Sequence, residues 1–252
     1  MLAMGRWSKI MLVITAILGV LAFGWPLFLR PGALLSASTV APMVLAVLLP
    51  LVLGVVVVQL ANQEMDVKAL SMLGVLTALG AVARPLGVGT AGLETVFFLV
   101  ILAGRVFGPG FGFVLGNTTI FASALVVGGV GPWLPHQMLA AGFVGLGARL
   151  LPRATGRAEI AVLAGYGALA SFAFGFAMDF SFWPFMIGTG GQGFDPAIGP
   201  LTNLHRFVVY ELVTGMGWNI GRATTNVVLI TILGPPVLRV LRRAARRARF
   251  VQ

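Results

Sequence analysis

The chain contains no cysteine, which excludes disulfides, thiolate metal sites and a cysteine nucleophile. His136 and His205 are its two histidines, so a multi-histidine metal cage is excluded as well. Lysine is nearly missing: Lys9 and Lys68 are followed by Ile10 and Ala69. The pattern G-x-x-x-x-G-K-[ST] is therefore absent, and with it the lysine that reaches the terminal phosphates of a nucleotide. Charged residues make up 10% of the chain, where a soluble domain carries roughly 25%. Such a sequence cannot clothe a water-facing surface.

Apolar residues fill the space instead: 58% of the chain is hydrophobic, with a mean hydropathy of +1.00. A spanning helix needs about 20 mostly apolar residues. Candidate spans fall at 9–29, 40–60, 69–83, 93–107, 111–129, 136–151, 160–180 and 207–238. The predicted fold class is an all-α integral membrane protein of about eight transmembrane helices. Arg6 and Lys9 before the first span, and Ala22-Phe23-Gly24 within it, resemble a signal peptide and its cleavage triplet. The apolar run continues through Trp25 to Leu29, however, and is read as a span. The third, fourth and sixth spans are short and call for snorkelling of Arg84, Arg105 and Arg149, or for a thinned bilayer.

The net charge of +10 has a pattern. With eight spans, both termini share one side, and thirteen Lys and Arg fall there, six of them from Arg239 to Arg249. Arg30, Arg84 and Arg206 fall on the other side, and Arg222 lies within the last span. Cytoplasmic flanks attract Lys and Arg, so both termini are expected in the cytoplasm of a multi-pass protein of the plasma (inner) membrane. Arg239, Arg242, Arg243, Arg246 and Arg247 share one helical face. This basic tail (239–252) reads as lying on anionic headgroups, and nucleic acid is not expected as a partner.

Energy coupling leaves no trace in the residues. Glu64, Asp66, Glu94, Glu159, Asp179, Asp195 and Glu211 sit in loops or near span ends. Arg222 is deep, with no evident acidic partner at its level. No inverted repeat with broken helices is visible, and no cluster of carboxylates or histidines suggests a membrane enzyme. The chain is read as non-enzymatic, with no cofactor and no metal.

The stretch "GGVGPWLPHQMLAAGF" (128–143) carries more chemistry than a turn requires. Together with "MLGVLTALGAVARPLGVGTAGLETVFFLVILAGRVFGPGFGFVLGN" before it, this run resembles the substrate-binding S components of energy-coupling factor (ECF) vitamin transporters, of an actinobacterial type. The hallmark is G-G-x-G-P-W-x-P-x-Q-M, and the resemblance covers roughly 66–249. It implies a six-helix core (66–238) behind an N-terminal two-helix membrane extension (1–65). It also implies a function: high-affinity capture of a vitamin-type micronutrient outside the cell, then import by a T component and two ATP-binding subunits. Partner ATPases would account for the missing P-loop. Cobalamin is the first choice of cargo. A stand-alone carrier or facilitator, or a scaffold without ligand, remains the alternative.

In the family the first core helix docks on the T component through small residues four apart. Gly74 and Ala78, and Thr77 and Ala81, are the corresponding pairs here; ordinary helix packing is the competing reading. For ligand binding, a site joins an apolar wall to a few convergent polar groups. Trp133, His136 and Gln137 stand at the start of the sixth span, where an interfacial anchor and turn caps are the plainer alternative. Arg84 and Glu94 flank the loop that family members use as a lid, and pairing with each other is their simplest role. Asp179, Trp183 and the 181–205 loop offer a second wall. Asn117, Trp218 and Asn219 lie within spans, where a buried amide either braces helices or touches ligand. Gly112, Gly116, Thr119 and Ser123 form a small-residue stripe for tight packing.

Overall fold

The computed structural model describes residues 6–28, 37–62, 67–87, 90–185, 192–195 and 197–249. Among them it shows helices and turns and no strand. The helices are α1 (Arg6–Gly24), α2 (Ala37–Asn62), α3 (Val67–Ala83), α4 (Phe97–Phe107), α5 (Pro109–Val127), α6 (Leu134–Gly147), α7 (Gly156–Phe182), α8 (Pro200–Tyr210) and α9 (Met216–Arg249). A π-helical segment, Glu211–Gly215, joins α8 to α9 without a break. Four stretches are long and apolar enough to cross a membrane: Val67–Leu86, Pro109–Val127, Gly156–Phe185 and Pro200–Arg246.

The central post is α5. Of its apolar window 67% is buried, against 33% or less in the other three. Pro109 opens it, where the missing N–H costs nothing, and Gly128 ends it in the left-handed region at φ +67°. Around it α4, α5 and α6 cross almost backbone to backbone. A Cβ built on Gly145 would stand 2.2 Å from the Gly112 carbonyl oxygen, and one on Gly104 would stand 2.1 Å from the Gly145 oxygen. One on Gly116 would meet the Ala141 oxygen at 2.3 Å. Only small residues permit this approach, so the stripe of Gly112 and Gly116 is spent on packing, as read from the sequence.

The short spans are accommodated differently than expected. With 11 and 14 residues, α4 and α6 extend about 16 and 21 Å at 1.5 Å per residue, short of an apolar layer about 30 Å thick. Both are almost wholly buried inside the longer helices. Arg105, at the end of α4, does not snorkel; its side chain is 6% exposed. Its Nε donates to Glu159 Oε1 at 3.1 Å, and its two terminal nitrogens donate to the carbonyls of Leu151 and Pro152. Arg242 of α9 reaches the same carboxylate at 2.6 Å. The result is an Arg–Glu–Arg triad, buried at Arg105 and Glu159 and exposed at Arg242, that ties α4, the α6–α7 turn, α7 and α9 together.

The first two helices share this core. Val52 and Val56 of α2 are buried in it, and Gly19 of α1 lies against Phe143. The expected tail from 239 onward is a continuation of α9. Leu238 and Leu241 are buried and Arg242 holds Glu159, while Arg239, Arg243 and Arg246 face outward.

Candidate functional site

Most polar side chains of interest gather at the end of the bundle opposite the triad. There α3 stops because Pro85 turns the chain into a short 3₁₀ segment, Arg84–Leu86. The turn aims Arg84 across α5 and α6: Nη2 donates to Gln137 Oε1 at 3.0 Å and Nη1 to Ser123 Oγ at 3.4 Å. Gln137 is presented by the first turn of α6, which Pro135 initiates. Trp133 stands at the rim, 44% exposed, its Nε1 donating to the Gly129 carbonyl at 3.3 Å.

A second polar group lies between α7 and α9. Glu211 opens the π segment, a rare geometry that recurs at functional sites, and is fully buried. Its Oε1 accepts from Asn219 Nδ2, and its carboxyl shares a side-chain hydrogen bond with that of Asp179. That carboxylate lies over Gly215, where a Cβ would come within 2.5 Å of Oε2. Asn219 Oδ1 accepts from Arg222 Nη1 at 2.6 Å, and the same nitrogen reaches the Ser171 carbonyl at 3.4 Å. The Arg222 guanidinium sits 5.1 Å above the Phe174 ring, a cation–π contact. Asp179, one turn before the end of α7, is the Glu211 partner in that hydrogen bond and lies in the field of Arg222. Gly175 makes the approach possible, since any Cβ there would strike Asn219 Oδ1.

Glu94 connects the two groups. It lies in the segment between α3 and α4, accepts the Val96 N–H at 3.0 Å, and feels both Arg84 and Arg222. Burial pushes its carboxyl above the ordinary carboxylate range, opposed by that N–H and the two guanidinium charges. The segment is held against α9: a Cβ on Gly221 would stand 1.9 Å from the Ala91 carbonyl oxygen. A polar chain thus runs from Gln137 through Arg84, Glu94, Arg222 and Asn219 to Glu211 and Asp179.

Several expectations change here. Arg222 does have acidic neighbours: Glu94, Asp179 and Glu211 all act on it. Carboxylates do cluster, and the sequence reading missed the cluster because its members come from three separate segments. Arg84 and Glu94 do not form the simple pair expected of them; their donors and acceptors go to Gln137, Ser123 and Val96. His136 is buried, its Nε2 3.1 Å from the Ala22 carbonyl of α1 and its ring edge-on to Phe23 and Phe182. Asn117 braces α5 through the Phe113 carbonyl and lies against Gly142 of α6. Trp218 is 47% exposed. Trp183 lies in a separate aromatic cluster with Phe194 and Phe207, donating to the Gln192 carbonyl at 3.0 Å. Residues 186–191 and Pro196 of that loop, with Glu64, Asp66 and Arg30, fall outside the described residues.

The small-residue pairs of α3 divide. Thr77 hydrogen-bonds Thr118 at 2.8 Å and Ala81 is buried, so this pair faces α5. Gly74 and Ala78 are exposed, and nothing stands within 4 Å of a Cβ on Gly74. Glu211 and Ser123 were missed as site members, as was the role of Arg222. The signal for two of them was present, since Glu211, Asn219, Arg222 and Asn226 lie at offsets 0, 8, 11 and 15 on one helical face.

An apolar cavity of about 310 Å³ opens between α1, α6 and α7, lined by Phe23, Phe143, Tyr166 and Phe174 among others. Tyr166 spends its hydroxyl on the Val144 carbonyl. Phe174 therefore has the cavity on its lining side and Arg222 over its ring. Among the described residues no group of three or more His, Cys, Asp or Glu is arranged to hold a metal ion. No family model, no curated protein and no solved structure matches the chain.

Proposed function

We propose that this chain is a membrane-embedded capture component for a vitamin-type micronutrient, which it receives outside the cell and delivers to an ATP-driven import module. The observation that carries the reading is the polar chain from Gln137 to Asp179, at the end of the bundle opposite Arg105, Arg153, Arg157 and Arg242. Arginine-rich ends face the cytoplasm, so the polar end opens outward. The sequence resemblance supplies the rest: a T component and two ATP-binding subunits as partners, and cobalamin as first candidate cargo. The exposed Gly74 and Ala78 face leaves room for a partner helix to approach closely.

The test is thermal stabilisation of the detergent-purified chain across a vitamin panel. A ligand at about 100 times its Kd adds about 2.7 kcal/mol to folded-state stability. One vitamin is expected to raise the melting temperature, and Arg84→Ala and Gln137→Ala to reduce that effect. A flat panel with a monodisperse protein refutes the reading. A stand-alone carrier is favoured by one observation, the ionisable group of partly buried Asp179 and Arg222 around buried Glu211, because such groups within a membrane commonly serve translocation. Uptake by proteoliposomes holding this chain alone would select that second reading.

A further inference from the structure

We propose that the apolar cavity between α1, α6 and α7 is a binding site for a hydrocarbon chain, the acyl tail of a membrane lipid that enters sideways from the bilayer. The cavity measures about 310 Å³, about twice the roughly 150 Å³ apolar cavity that admits benzene. Phe23 of α1, Ala140 and Phe143 of α6, and Tyr166, Ala170 and Phe174 of α7 supply its walls. The one polar side chain among the lining residues is Tyr166, and its hydroxyl donates to the Val144 carbonyl at 2.8 Å. A buried water needs about two to four polar partners. These walls do not offer them, so the space takes carbon.

The position of the mouth says which carbon. Leu169 and Ala173, one turn apart on α7, belong to the lining and are exposed on the outside of the bundle, Leu169 at 68%. Leu169 is the midpoint of Gly156–Phe182, and this helix is long and apolar enough to cross a membrane. The mouth therefore opens near the middle of an apolar layer about 30 Å thick, where the surrounding medium is the ends of lipid tails. A void at that depth forfeits the dispersion contacts of the atoms that line it, and a chain end restores them. Lipid tails are as apolar as leucine, so close packing, rather than transfer out of water, holds the chain in place.

The captured micronutrient is a poor occupant of this space. Phe174 separates the cavity from the polar chain: Arg222 lies over its ring at 5.1 Å, and Phe97 meets it edge-on at 4.8 Å. The donors and acceptors of a vitamin would lose their water there without gaining partners, which is costly. The inference therefore stands apart from the capture reading. One wall belongs to the N-terminal helix, which is fixed to the core beside the cavity. Trp25 Nε1 donates to the Ser181 carbonyl at 2.8 Å, Phe23 stands edge-on to His136, and Gly19 lies against Phe143. A chain seated in the cavity touches α1, α6 and α7 together and fills the seam between them.

The experiment places the full-length chain in phosphatidylcholine vesicles, a small share of whose lipid carries a diazirine at the end of one acyl chain. Light fixes each tail to what it touches, and peptide mass spectrometry reads the labelled residues. Val75 and Leu79, exposed around the middle of α3, report ordinary lipid contact at matched depth. Ala140, Phe143 and Ala170 are expected to take several times more label than these two, although they are less exposed. Ala170→Phe puts a ring into the cavity and is expected to cut that labelling about tenfold, because a chain would then overpack the site, while Val75 and Leu79 label as before. If that variant fails to fold, Ala173→Trp at the exposed rim takes its place. Cavity labelling no higher than that of Val75 and Leu79 overturns the inference, and so does labelling that the filling variants leave unchanged. Loss of cavity label on adding a vitamin that stabilises the protein also overturns it, since the cavity would then belong to the captured ligand. A vitamin panel without effect, beside strong cavity labelling, sinks the capture reading and supports the lipid site.

Discussion

Adding one methyl group at Gly145 tests the heart of the fold. The new Cβ of Gly145→Ala would lie 2.2 Å from the Gly112 carbonyl oxygen, 2.5 Å from its carbon and 2.7 Å from Val100 Cγ1. Two of these neighbours are backbone, so no rotamer change relieves them, and α5 and α6 must part by about 1 Å to restore van der Waals contact. Overpacking of this kind costs about 1–3 kcal/mol. Alanine regains about 1 kcal/mol of helix propensity over glycine, yet a clash with backbone belongs at the upper end of the range. A net loss of about 2 kcal/mol follows. Gly74→Ala is the matched control: the same chemical change, in a helix, with nothing within 4 Å of the new Cβ. It should leave stability unchanged or raise it by up to about 1 kcal/mol. Reversible denaturation in mixed micelles, followed by circular dichroism, measures both. If Gly145→Ala falls within about 0.5 kcal/mol of wild type, as ordinary surface substitutions do, the close three-helix crossing is refuted.

Two further predictions address charge. Glu159→Ala should cost about 3–5 kcal/mol by stranding buried Arg105, whereas Arg242→Ala should cost at most about 1 kcal/mol because Arg242 is 44% exposed; equal losses in the same denaturation assay would contradict the triad. Glu94 has a folded-state carboxyl raised above its ordinary value, so its contribution to stability is full below the unfolded pKa and is lost as pH rises through the folded one. Wild type should therefore lose stability from weakly acidic to neutral pH by an increment that Glu94→Gln lacks, since the amide oxygen still accepts the Val96 N–H without ionising; parallel pH slopes for the two proteins would count against it.

What the sequence alone determined is what depends on local composition and spacing. Apolar runs gave the helical class and most helix positions, because desolvating a peptide segment forces its own N–H and C=O groups to pair within it. The stripe of Gly112 and Gly116 announced a close crossing, since its spacing is a property of one helix. Gln137 and Arg84 were each named from their places at span ends, and the hydrogen bond that joins them is a tertiary contact. Tertiary structure decided everything that depends on which helix faces which. Arg105 and Glu159 are 54 residues apart, and Glu159 and Arg242 are 83 apart; no periodicity links them, so one was read as snorkelling and the other as tail. Thr77 and Ala81 carry the same small-residue pattern as Gly74 and Ala78, and only the position of α5 separates inward from outward. Arg222 looked isolated because its counter-charges come from the α3–α4 segment, α7 and the π turn. Burial makes such pairing necessary, for an unpaired charge away from water is too costly to keep, but the sequence does not say where the partner stands.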